Sequence, residues 1–121
     1  MSELRELELT YLSKLTDIDE LIHLKKLKVL SFEACKNVDF TSISKIKNLE
    51  KLLMINCGEL PSLQFIEDLP KLKFLVFNKT NVVDGDLSYC ERLEYVGFDN
   101  KRHYTHKMSD FVDVDALYGG D

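Results

Sequence analysis

The chain has 121 residues, enough for one domain. It is 45% hydrophobic and 31% charged, and its formal net charge of −5 at pH 7 removes any electrostatic reason to bind nucleic acid. No apolar run approaches the roughly 20 residues that cross a bilayer, and the opening Met1-Ser-Glu-Leu-Arg-Glu6 is acidic where a secretory signal has a basic start, so a cytoplasmic chain without a membrane partner is expected.

In chain order, Leu4-x-x-Leu7-x-Leu9-x-x-Leu12 opens a spacing that recurs to the far end. Its second copy is Leu27-x-x-Leu30-x-Phe32-x-x-Cys35 and its third is Leu49-x-x-Leu52-x-Met54-x-x-Cys57. Leu72-x-x-Leu75-x-Phe77-x-x-Thr80 and Leu93-x-x-Val96-x-Phe98-x-x-Lys101 follow. The copies start 23, 22, 23 and 21 residues apart, and a period this regular over five copies is the signature of a solenoid.

Each copy divides into two halves. The first alternates apolar and other residues, as in Leu49 to Met54, and reads as a short strand. The second brings the chain back with apolar residues about every third position, which suits 3₁₀ or irregular turns. Leu12, Leu15, Ile18, Leu21 and Leu24 do this in the first copy, and Val38, Ile43 and Ile46 in the second. Leu60, Leu63, Phe65 or Ile66, and Leu69 do it in the third, where Pro61 and Pro70 bound the turn. Stacking the copies pairs each strand with the next about 4.8 Å away in a parallel sheet. A single copy cannot bury its apolar face, so stability comes from contact between neighbours.

Cys35 and Cys57 occupy the same small position of adjacent copies, where a thiol packs as a small hydrophobe. With Cys90 in another register and no Cys-x-x-Cys pair, reduced thiols and no zinc site are expected.

The pattern resembles the leucine-rich repeat family, in its short class of about 22 residues found in phosphatase-regulator-like proteins and bacterial internalins. The resemblance runs from Leu4 to about Lys107. It implies an α/β solenoid: a right-handed superhelix with a short parallel β-sheet on the concave face and 3₁₀ or irregular turns on the convex face. On that basis residues 1–107 form the repeat domain and 108–121 an acidic C-terminal cap or tail. Two departures stand out. The Asn usual at the ninth motif position is replaced by Leu12, Cys35, Cys57, Thr80 and Lys101, which can supply only a weaker hydrogen-bonded ladder. No cap precedes the first copy, so a larger parent chain or pairing with a second copy is expected there.

The fourth copy holds Asp84-Gly85-Asp86, a tight-turn signal. The fifth runs into Gly97 to Lys107, whose polar, basic and aromatic residues break the period and suit a segment closing the last strand. Beyond it, Ser109 is placed to N-cap a helical turn that lays Phe111 and Val114 on the core edge.

Little here suggests chemistry. His103 and His106 lack a third ligand, Asp110-x-x-Asp113-x-Asp115 lacks the Gly and distal Glu of a calcium loop, and no nucleophile–base set or phosphate-binding loop occurs. No enzyme activity and no cofactor are expected. The informative residues alternate with the core leucines. Val29, Lys51, Leu53, Ile55, Phe74, Val76 and Tyr95 fall together on the face that the resemblance makes concave, where solvated positions would be polar. Glu6, Glu8, Glu33 and Asp99 edge them, and Gly97 leaves room for a partner's backbone. An apolar centre with a charged rim is the anatomy of a protein interface. The function expected is a protein–protein interaction module. Family analogy offers two regulatory alternatives, a phosphatase regulator or a toxin-immunity protein, and self-association through the patch offers a structural one.

Overall fold

In a computed structural model, residues 4–10, 23–35 and 40–111 are described. Among them the alternating segments form parallel strands: β1 Glu6–Thr10, β2 Val29–Glu33, β3 Lys51–Ile55, β4 Gly58–Leu60, β5 Phe74–Val76, β6 Thr80–Val82 and β7 Tyr95–Gly97. One sheet has the order β1-β2-β3-β5-β7, with each strand beside its counterpart from the next copy. Its register aligns Glu6, Val29, Lys51, Phe74 and Tyr95, and the columns beyond follow in step. A one-residue slip would turn every leucine outward, so the apolar pattern fixes this pairing.

The leucine columns point to one side and are buried in the middle copies, with Leu7 and Leu9 on β1 only half-buried. Leu30, Leu52, Leu75 and Val96 are fully enclosed, as are Phe32, Met54 and Phe77 in the neighbouring column. Chain returns supply the opposite wall as 3₁₀ turns at Phe40–Lys45, Gln64–Asp68 and Ser88–Cys90, which bury Phe40, Ile43, Phe65, Ile66 and Cys90. Phe32 meets Phe40 edge-on, with ring centres 4.9 Å apart. Arg92 ties two copies together: its guanidinium donates to the Ile66 and Leu69 carbonyls at 2.6 and 3.0 Å, at the end of the preceding turn.

The ninth motif position builds a working ladder. The Cys35 thiol donates to the Leu9 carbonyl at 3.5 Å, the Cys57 thiol to that of Phe32 at 3.6 Å, and the Thr80 hydroxyl to that of Met54 at 2.5 Å. Each side chain thus reaches back one copy. Just before this position the backbone turns left-handed at Ala34, Asn56 and Lys79, with φ of 57°, 54° and 58°. That conformation is strained for Ala and Lys and easier for Asn.

Two features differ from the sequence expectation. A second small sheet, β4 with β6, forms at the ninth position, β4 starting just after Cys57 and β6 at Thr80 itself. Ser109 lies inside the 3₁₀ turn Met108–Asp110 rather than capping it, and the Asp110 carboxylate accepts the Lys107 N–H at 2.7 Å. Phe111 does reach the core edge, against Phe98 at 5.9 Å; the Val114 placement, like Leu12, Leu15, Ile18, Leu21 and Val38, lies outside the described residues.

Residues 101–107 close the last copy. The Tyr104 ring packs against Phe77 and Phe98, and its hydroxyl accepts the Val82 N–H at 3.1 Å while donating to the Thr80 carbonyl at 3.3 Å. The ring of His103 contacts the Val82 carbonyl through Nε2 at 2.9 Å. These groups satisfy the edge of β6 where another strand would otherwise pair. Gly85 makes the approach feasible: its φ is +67°, and a Cβ there would fall 2.2 Å from the His103 carbonyl oxygen.

Candidate functional site

Side chains that alternate with the buried columns form the sheet's other face, and the register sets their neighbours. Lys51 lies beside Phe74 and Phe74 beside Tyr95, while Leu53 lies beside Val76. Val29, Lys51, Leu53, Ile55, Val76 and Tyr95 are all half-buried, and Phe74 is exposed at 37%. None of them belongs to the core cluster. Phe74 and Tyr95 meet edge-to-face with ring centres 6.2 Å apart, and Lys51 Nζ lies 5.6 Å from the centre of the Phe74 ring. The pair presents a stiff aromatic ridge, since each ring limits the other's rotamers and the ammonium favours the ring face.

Gly97 serves this face differently from the expectation. It is buried, and a Cβ on it would lie 3.2 Å from the Tyr95 ring and 3.5 Å from Val76 Cγ2. The missing side chain lets Tyr95 lie down across the sheet; no room is left there for a partner's backbone.

Around the patch, Glu6, Glu8, Glu33 and Asp99 are exposed. Asp99 also organises the chain beside it. Its carboxylate accepts the Lys79 N–H at 2.7 Å and the Asn78 side-chain N–H at 3.2 Å. Those donors, the Lys79 amide first, hold its carboxyl below the usual carboxylate range.

His103 and His106 are occupied structurally. His106 contacts Glu91 at 3.0 Å and the Thr105 hydroxyl at 2.7 Å and stacks on Phe111, while His103 faces Val82. Among the described residues no three His, Cys, Asp or Glu side chains gather where an ion could sit. Cys35, Cys57 and Cys90 are buried free thiols. Burial pushes the Cys90 thiol up to about 12 and raises that of Cys57. Sequence reading passed over Val83, which is 52% exposed in the turn after β6. No periodic signal marks it, because it lies outside the repeating motif.

No protein-family model matches the chain, and no curated protein does. Among solved structures the chain is similar to the crystal structure of internalin C2 from Listeria monocytogenes, with a TM-score of 0.59 and 22% identity. The fold is leucine-rich-repeat-like. The likeness covers 73% of this chain, which spans 40% of the internalin C2 chain. At that identity it carries the architecture alone. Among the described residues no helix is long and apolar enough to cross a membrane.

Proposed function

We propose that the chain is a non-enzymatic binding module that holds a partner protein on the sheet face opposite its core, the face concave in a right-handed repeat superhelix. The observation that carries this reading is the contiguity of Leu53, Ile55, Phe74, Val76 and Tyr95 across three paired strands, all outside the core. Water wets this apolar area at a cost that a partner would remove. The Phe74–Tyr95 ridge supplies the anchor, because aromatic side chains dominate binding energy where they seat in a partner's pocket. Val29 and Lys51 extend the same face toward β2, where Glu6, Glu8 and Glu33 set a polar rim. A globular protein is the partner class, since the apolar patch runs across three paired strands.

The test separates binding from folding. Phe74→Ala and Leu53→Glu should leave the melting temperature within a few degrees of wild type and abolish capture of a partner from the source lysate. Capture that survives both substitutions moves the site elsewhere. Light scattering after size exclusion covers the case in which the partner is a second copy: Leu53→Glu would then convert a dimer to a monomer.

A further inference from the structure

The margin along which the strands begin carries a charge opposite to that of the whole chain. Arg5, Lys28 and Glu50 each stand one position before a strand, and the parallel register stacks them as successive rungs. The Lys28 N–H donates to the Arg5 carbonyl and the Glu50 N–H to the Lys28 carbonyl, both at 2.8 Å. Beside them runs a second rank, Lys26, Asn48 and Lys71, each immediately before the first leucine of a copy. These six side chains line one groove of about 280 Å³.

Four of the six are cationic and one is anionic, in a chain of formal charge −5. Glu50 reaches Lys28 only at 3.8 Å with both side chains well exposed, so it offsets little of the local positive potential. Asn48 gives the groove a fixed point. Its side-chain N–H donates to the Lys25 carbonyl at 2.7 Å, and its Oδ1 accepts from Lys71 Nζ at 2.8 Å. Lys71 is thereby held over the groove instead of swinging into solvent. Cations that line one groove repel one another, and an oxyanion between them relieves the repulsion while accepting their N–H groups.

We propose that this groove binds a phosphate-class oxyanion, either free or as the phosphoryl group on a peptide side chain. A nucleic-acid strand fits poorly, because Glu50 and Glu94 interrupt the cations Arg5, Lys28 and Lys73 along the rank and Glu6 and Glu8 are exposed beside it. A compact dianion stays within the three copies that line the groove. The site is separate from the open face of the sheet and does not depend on a partner being seated there.

Amide shifts of the ¹⁵N-labelled full chain test it at constant ionic strength, with inorganic phosphate, a phosphoserine peptide and its unmodified serine counterpart as probes. Phosphate should give saturable shifts at Lys26, Lys28, Asn48, Glu50 and Lys71. Lys28→Gln and Lys71→Gln should each weaken binding about tenfold. Glu50→Gln should tighten it, and Lys107→Gln, on the closing segment, should leave it unchanged. A phosphopeptide that binds more tightly than both phosphate and the serine peptide assigns the anion to a protein side chain; a phosphopeptide no tighter than phosphate assigns it to the free ion. Shifts that never saturate, shifts spread evenly over all lysines, or tighter binding of a single-stranded oligonucleotide would overturn the proposal. Thermal melts of the variants confirm that they fold, and Glu50→Gln keeps the test decisive if a lysine variant does not. Failure here leaves the sheet-face reading standing, since Phe74 and Leu53 test that independently.

Discussion

Thr80 shows how one side chain can do the work that the usual Asn does at the ninth motif position. Its hydroxyl accepts the Cys57 N–H at 2.9 Å and donates to the Met54 carbonyl, so it joins two copies at a buried point. Removing the oxygen while keeping the shape leaves that N–H without a partner in a site closed to water. Thr80→Val should therefore cost about 1–3 kcal/mol, read by urea denaturation, whereas Thr80→Ser should cost less. Asp99 acts at the same scale through charge. Its folded pKa is lowered, so its contribution to stability is present above the unfolded value near 3.8 and is lost as pH falls through the folded one. Asp99→Asn should shrink the gap between melting temperatures at pH 7 and pH 3; an unchanged gap would assign the acid sensitivity to other carboxylates.

At the level of elements, side-chain spacing made some features legible and backbone chemistry hid others. The three columns that cross all five strands of the main sheet follow from the leucine positions alone, because alternation and period leave a single register that buries the leucines. The 3₁₀ turns follow from three-residue spacing, as at Ile43 and Ile46. The β4–β6 pair was not legible: Gly58-Glu-Leu60 and Thr80-Asn-Val82 have too few residues to show alternation, and they pair through backbone groups, with the Asn81 amide meeting the Glu59 carboxylate across the pair at 3.5 Å. Neither did spacing reveal that Tyr104 would satisfy the free edge of β6, or that Gly97 would lie beneath Tyr95. The candidate face was legible by residue, though its exposure was not, since half-burial depends on how neighbouring rings lie. Tyr104→Phe tests the closing element. It removes only the hydroxyl that serves Val82 and Thr80 and should cost about 1–3 kcal/mol, with faster amide exchange at Val82. Gly85→Ala should cost more, since it combines a positive φ with a backbone clash against His103.

Across the whole molecule, stability is a chain of contacts between neighbouring copies, so position along the solenoid decides what a core residue contributes. Leu52 and Leu7 are equivalent by motif, yet Leu52 is fully enclosed between two paired strands and Leu7 is only half-buried on β1. Leu52→Ala should cost about 2–5 kcal/mol, because it opens a cavity where β2, β3 and β5 meet. The same change at Leu7 removes fewer contacts at a place that can relax, and it should cost less than half as much. Hydrogen exchange should rank the strands in the same way, with β3 amides the most protected and β1 the least. Tyr104 and Phe98 cover the other flank, so β7 should exchange more slowly than its three-residue length alone suggests. Equal costs at Leu52 and Leu7, together with uniform protection from β1 to β7, would mean that the chain unfolds as one indivisible unit, and the nearest-neighbour description would fail.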